Sequence, residues 1–183
     1  MPNYPIVKIF VAGEGGTGKT TLVERYVKGV FIPDTLMTIG VSHSVKDALS
    51  SKGNTYTLQV WDLGGEDRFR FIIPTYVKGA QLGLLVFDST RFSTFKHLGE
   101  WLELIRSSVG SIPIVLVGTK TDIPDAMVKS ASYDEFVKSH DLAGFFMTSS
   151  KDGTNVEKLF DYLVELYEKI REKNPQNIKS TKK

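Results

Sequence analysis

The segment Gly13-Glu14-Gly15-Gly16-Thr17-Gly18-Lys19-Thr20 spells G-x-x-x-x-G-K-[ST] between an apolar run, Ile6 to Ala12, and an amphipathic stretch. That order suits a loop whose backbone N–H groups curl around phosphate, followed by a helix whose N-terminus adds partial positive charge. Lys19 would reach the β- and γ-phosphates, and the Thr20 hydroxyl would ligate Mg2+. Thr21, the next residue, joins the same nucleotide-binding set. The chemistry implied is the binding of a nucleoside triphosphate.

Three further motifs bear on which nucleotide is bound and what is done with it. Asp62-Leu63-Gly64-Gly65 follows the run ending in Val60-Trp61. A carboxylate at a strand end can hold Mg2+ through a water, and Gly65 can offer its N–H to a γ-phosphate. Gly118-Thr119-Lys120-Thr121-Asp122 follows the apolar run Ile112 to Val117. The Asp122 carboxylate can accept from guanine N1–H and N2–H₂, two donors that adenine does not present together. The aliphatic stem of Lys120 can lie over the base. Ser149-Ser150-Lys151, after Met147, can supply a backbone N–H to guanine O6.

These motifs need a frame that brings strand ends together. Residues 6–12, 82–88, 112–118 and 144–148 are short, nearly continuous apolar runs of buried-strand length. Val41 to Leu49 and Tyr56 to Trp61 alternate, with Lys52-Gly53-Asn54 as a hairpin turn between them. Helical spacing occurs at Leu22, Val23, Tyr26 and Val27, and again at Phe95, Leu98, Leu102 and Ile105. It is clearest at Val156, Leu159, Phe160, Leu163, Leu166 and Ile170, where Thr154 and Glu157 offer a capping box and Pro175 follows the end. The expected fold class is α/β, with a mostly parallel sheet, one antiparallel edge strand and helices on both faces. Every motif falls at a strand's carboxyl end, where ligands of such sheets bind.

The 183 residues, 41% of them apolar, suit one domain with an ample core. The chain has no cysteine, which excludes disulfides, thiolate metal sites and cysteine nucleophiles. No basic n-region with a following apolar run opens the sequence, and no eighteen apolar residues run together. The net charge of +2 conceals a tail: residues 169–183 carry six Lys/Arg and one Glu. The expectation is a solvated basic end with at most weak electrostatic contact to acidic membranes and no specific nucleic acid.

Taken in order, the phosphate loop, Thr38, D-x-x-G, T-K-x-D and S-S-K resemble the Ras superfamily of small GTPases over residues 6–172. Thr38-Ile39-Gly40-Val41 and the stretch Trp61-Asp62 to Glu66-Asp67-Arg68-Phe69-Arg70 are most similar to the Rab branch. Thr119, where most members have Asn, resembles the Rho branch. The resemblance implies the P-loop NTPase, small-GTPase fold with a six-stranded sheet and Mg2+–GTP or GDP at the strand ends. It implies that Thr38, in switch I, closes on Mg2+ and the γ-phosphate, and that Phe31 packs near the guanine. Residues 62–76 would be switch II, ordered by the γ-phosphate. Metal ligands would then be Thr20, Thr38 and, through water, Asp62; the catalytic set would be Lys19, Thr38, Gly65 and Glu66. Effector, exchange factor and GTPase-activating protein would meet the switches, where Ile32, Leu36, Met37 and Ile39 form an apolar strip.

Four positions depart from the family pattern. Glu66 stands where the family has its catalytic glutamine, so hydrolysis is expected to be slow and partner-assisted. His43 stands where Rab-like proteins tend to carry an aromatic, and reads as a solvent-facing strand residue beside Trp61 and Tyr76. No cysteine is present for prenylation and Pro2 replaces a myristoylated glycine, so a cytoplasmic location is expected. Residues 31–41 contain no Arg, so switch I offers no arginine finger. The expected organisation is a GTPase domain over 1–173 and a flexible basic tail over 174–183. Two rival readings stay open on the residues. One is a scaffold that holds GTP and hardly hydrolyses it, which Glu66 favours. The other is a P-loop kinase, which would need an acceptor site and an Arg-rich lid, beyond the pair Arg68 and Arg70.

Overall fold

In the computed structural model, which describes residues 4–33, 37–127 and 131–173, the apolar runs become strands. They are β1 (Ile6–Ala12), β2 (Val41–Leu49), β3 (Thr55–Leu63), β4 (Leu82–Asp88), β5 (Ile114–Thr119) and β6 (Gly144–Met147). All six join one sheet in the order β2-β3-β1-β4-β5-β6. Only β2 runs antiparallel, paired with β3 through the hairpin in which Gly53 adopts φ 83°. The other neighbours are parallel, so their carboxyl ends gather at one edge.

Strand alternation distributes side chains between two cores. Val7, Ile9 and Val11 of β1 face the core that packs under α1 (Lys19–Lys28) and α6 (Val156–Lys173), with Leu22, Tyr26, Leu159, Phe160 and Leu163. Tyr26 and Phe160 stack there with ring centroids 3.7 Å apart. Phe10 and Ala12 face the other core, under α2 (Ile73–Val77), α3 (Phe92–Lys96), α4 (Leu98–Val109) and α5 (Ala131–Ser139). Trp101, Tyr133, Phe10 and Phe87 are its largest fully buried members. Each such side chain contributes roughly 1.5–3 kcal/mol by leaving water, so the edge carrying the motifs rests on a rigid base.

The structure differs from the sequence expectations in five places. The strand expected over 112–118 is shifted to 114–119, and the one over 144–148 ends at Met147. The helix expected through Phe95, Leu98, Leu102 and Ile105 is broken at His97, whose ring contacts the Glu14 carboxylate. The apolar face continues across the break. Helix α5 was not foreseen, because only Tyr133 of its residues is fully buried and its apolar stripe is thin. The Thr154–Glu157 capping box is replaced: Thr154 donates its N–H to Asp152 (2.8 Å), and the Asn155 amide, at φ 57°, donates to the Met147 carbonyl (2.8 Å). Pro175 and the tail over 174–183 lie outside the described residues, as does Leu36 of the apolar strip.

Candidate nucleotide site

β1 ends at Ala12, and the loop turns at Gly13, whose φ is 143°. A Cβ there would lie 2.1 Å from the Val86 carbonyl oxygen, so the close passage over β4 requires glycine. The loop then feeds α1, whose first residue is Lys19. The Lys19 ammonium is buried and donates to the carbonyls of Gly13 (2.8 Å) and Glu14 (2.7 Å). Burial lowers its pKa to about 8, against the pull of the Asp62 and Glu14 carboxylates. A partly desolvated cation at the bottom of a loop of N–H groups is an anion-seeking arrangement. Thr17 is fully buried and donates its hydroxyl to the Glu14 carbonyl (2.9 Å), which closes the loop on itself. Thr21, Gly15, Gly16 and Gly18 border a cavity of about 70 Å³ together with Lys19, Thr20, Thr38 and Gly65.

On one side of the loop stand the three residues expected to hold metal. The Thr20 hydroxyl donates to Asp62 Oδ2 (2.5 Å) and lies 2.7 Å from the Thr38 hydroxyl, which itself reaches Asp62 Oδ2 at 3.3 Å. Asp62 is buried, and burial pushes its carboxyl pKa up, against the Thr20 hydroxyl, the Lys19 charge and the Thr38 hydroxyl. Among the described residues its buried Oδ1 has no hydrogen-bond partner. Hard oxygen donors of this kind suit Mg2+. Among the described residues no group of three or more His, Asp or Glu side chains gathers.

Gly65 lies directly on the phosphate loop: it accepts from the Gly15 N–H (3.0 Å), and a Cβ on it would fall 2.3 Å from the Glu14 carbonyl carbon. Glu66, the next residue, precedes a 3₁₀ helix over Asp67–Ile72. Its carboxylate is gripped on both oxygens by Arg68, at 2.7 and 3.2 Å. Arg70 ties the 3₁₀ helix to α4 through Glu100 (3.1 Å).

On the other side of the loop stand the residues expected to read the base. Buried Thr119 donates its hydroxyl to the Thr17 carbonyl (2.6 Å), which links β5 to the phosphate loop. Lys120, at φ 63°, donates to the Gly16 carbonyl (2.9 Å) and to Asp88 Oδ2 (2.7 Å). Asp122 Oδ1 accepts from the Ser149 hydroxyl (2.7 Å), which fixes the carboxylate. Ser149 and Ser150 are buried and Lys151 is exposed. Phe31 is half-buried, and among the described residues it makes no ring contact.

Sequence reasoning missed Asp88, Arg91 and His97. Asp88 is buried; its Oδ1 accepts from the Thr90 N–H and hydroxyl, and its Oδ2 from Arg91 as well as Lys120. The signal for the first two was available: Asp88-Ser89-Thr90-Arg91 closes a buried apolar run, as the other motifs do.

The Ras family model matches residues 8–169, the span that holds every one of these groups. The chain belongs to the Ras family. It is a small GTPase of the Rab type, with the GTP-hydrolysing activity of that family. Ras-related protein Rab-32B of Dictyostelium discoideum is 33% identical over 93% of this chain and 68% of its own length. Ras-related protein Rab-32 of Homo sapiens is 37% identical over 87% of this chain and 74% of its own. Ras-related protein RABA4b of Arabidopsis thaliana is 33% identical over 92% and 76%. The aromatic cluster of this GTPase is built with histidine: His43 is exposed, tilts against Trp61 at 4.7 Å, and Trp61 meets Tyr76 at 5.7 Å. Among the described residues no helix is long and apolar enough to cross a membrane.

Proposed function

We propose that this GTPase is a trafficking-type switch whose intrinsic hydrolysis is slow because Glu66 stands in place of a glutamine. The observation that carries the reading is the Glu66–Arg68 pair, which holds the carboxylate on both oxygens. In hydrolysis, water attacks the γ-phosphorus and the bond to the β–γ bridging oxygen breaks, with charge spread over the phosphoryl oxygens. Lys19 and the loop's N–H groups, with Gly65, stabilise that charge. Mg2+, held by Thr20 and Thr38 and by Asp62 through water, would neutralise β- and γ-phosphate oxygens. Asp122, Lys120, Thr119 and the Ser149–Lys151 turn hold guanine, with Phe31 at the base's edge.

A glutamine at position 66 both accepts from the attacking water and donates to a phosphoryl oxygen. A carboxylate only accepts, and its second contact is repulsion. Paired with Arg68, it leaves the water unpositioned until a GTPase-activating protein supplies a cation. Effectors and exchange factors meet the same switch surface, where Ile39 and Phe71 are more than three-quarters exposed. The GTPase domain spans 1–173, with a basic segment over 174–183.

Single-turnover GTP hydrolysis by wild type and Glu66→Gln tests the reading. Hydrolysis about a hundredfold faster in the variant, equivalent to about 3 kcal/mol in the barrier, is expected. A large fall would overturn it and make Glu66 a general base.

A further inference from the structure

The phosphate loop is held from outside by three side chains, each taking a carbonyl. Thr119 takes that of Thr17 (2.6 Å), Lys120 that of Gly16 (2.9 Å), and Arg91 that of Gly15 (3.2 Å). In a planar trans peptide the carbonyl and the following N–H point to opposite sides. Fixing these three carbonyls therefore turns the N–H groups of Gly16, Thr17 and Gly18 away from the three side chains. A cavity lined by Gly15, Gly16, Gly18 and Lys19 adjoins the same loop. Thr119 and Lys120 belong to the base-side motif; Arg91 comes from outside every motif read in the sequence.

Arg91 is well placed for this task. Its Nε donates to Asp88 Oδ2 (3.0 Å), and Asp88 is itself immobilised by Thr90 through its other oxygen. The guanidinium spans from that buried carboxylate to the loop, and a Cβ on Gly16 would come within 3.4 Å of it. Its charge is also felt at Lys19, whose ammonium it disfavours.

We propose that Arg91 is a positioning residue of the phosphate loop: it holds the Gly15–Gly16 peptide so that the Gly16 N–H faces a phosphate of the bound guanine nucleotide. The proposal rests on the reading that this loop takes the nucleotide's phosphates. Asp88 anchors the guanidinium, and through Lys120 the same carboxylate joins this peptide to the base side. An N–H held in advance contributes to affinity without being reordered on binding.

The test uses the full chain loaded with GDP. GDP release and the phosphorus-31 spectrum of the bound nucleotide are measured for wild type, Arg91→Ala and Lys96→Ala, the last removing an exposed charge from the helix that follows Arg91. Arg91→Ala is expected to release GDP about tenfold faster, the size of one half-exposed charge-assisted hydrogen bond, and to shift the bound phosphorus resonances. Lys96→Ala leaves both unchanged. Unchanged release in Arg91→Ala overturns the proposal. So does faster release with unmoved resonances, which assigns the effect to charge alone. A wild type with no bound-phosphate resonances would overturn the nucleotide reading and the proposal with it.

Discussion

Asp62 near the end of β3 and Asp88 at the end of β4 flank the central strand β1 and its phosphate loop, both almost inaccessible, at 2% and 1% exposure. Their surroundings treat the two carboxyls in opposite ways. Burial drives both pKa values upward. At Asp88, hydrogen bonds from Lys120, Thr90 and Arg91 outweigh it and hold the carboxyl below the usual range. At Asp62 burial wins, because two hydroxyls share Oδ2 and Oδ1 has no partner among the described residues. A carboxylate whose lone pairs are filled by the protein's own cations works as an anchor. One left short of donors favours a cation from outside. The loop between them is thus tied by hydrogen bonds on its Asp88 side and left with unmet charge on its Asp62 side.

The sharpest way to break this comparison is Asp62→Asn. The variant should lose about a hundredfold of the Mg2+-dependent gain in guanine-nucleotide affinity, near 3 kcal/mol, in titrations with Mg2+ against EDTA. Its nucleotide-free melting temperature should hold or rise, since a desolvated charge has been removed. A marked drop in that temperature would make Asp62 an anchor like its neighbour.

Asp88→Asn should do the reverse, leaving the Mg2+ dependence intact and weakening the fold. Breaking buried pairs costs about 3–5 kcal/mol, but Lys120 and Arg91 are 37% and 46% exposed. Discounting for that exposure leaves about 2 kcal/mol, or a melting temperature lower by roughly 4–8 °C. Calorimetry of the nucleotide-free variant checks it, and an unchanged temperature would remove the anchor role.

The smallest effect lies in the acid limb of stability. Asp88, with its folded pKa depressed, contributes stability above the unfolded value that is lost as pH falls through the folded one. Asp62, with its folded pKa raised, carries a penalty that is relieved as pH falls through that raised value. Asp88→Asn should therefore flatten the fall of stability below the ordinary aspartate pKa of about 3.9, and Asp62→Asn should steepen it in the acid range above that value. Urea melts across that range measure both slopes. Parallel curves for the two variants would erase the distinction.

The phosphate loop, Asp62, Thr119 to Asp122 and Ser149 to Lys151 were legible in the chain because each is a local spelling fixed to the end of an apolar run. Period-2 and period-3.6 patterning gave the elements, and the antiparallel edge strand followed from a hairpin too short for a crossover. Glu66 stood out as a departure, but its pairing with Arg68 is a rotamer choice that no spacing encodes. The break at His97 was hidden because Phe95, Leu98 and Leu102 keep one buried face across it. The capping box failed because Thr154 serves Asp152 and Asn155 reaches back to β6.

By itself, then, the sequence determined which strands exist, which loops follow them and what chemistry each loop carries, since all of these depend on residues within a few positions of one another. Tertiary structure alone decided that β4 lies between β1 and β5. That placement sets Asp88 beside Lys120, 32 residues on, and brings Arg91 within reach of Gly15, 76 residues back. Contacts of that separation are set by the order of strands in a sheet, and the energy that fixes the order is spread over two apolar cores rather than written at either end of the contact.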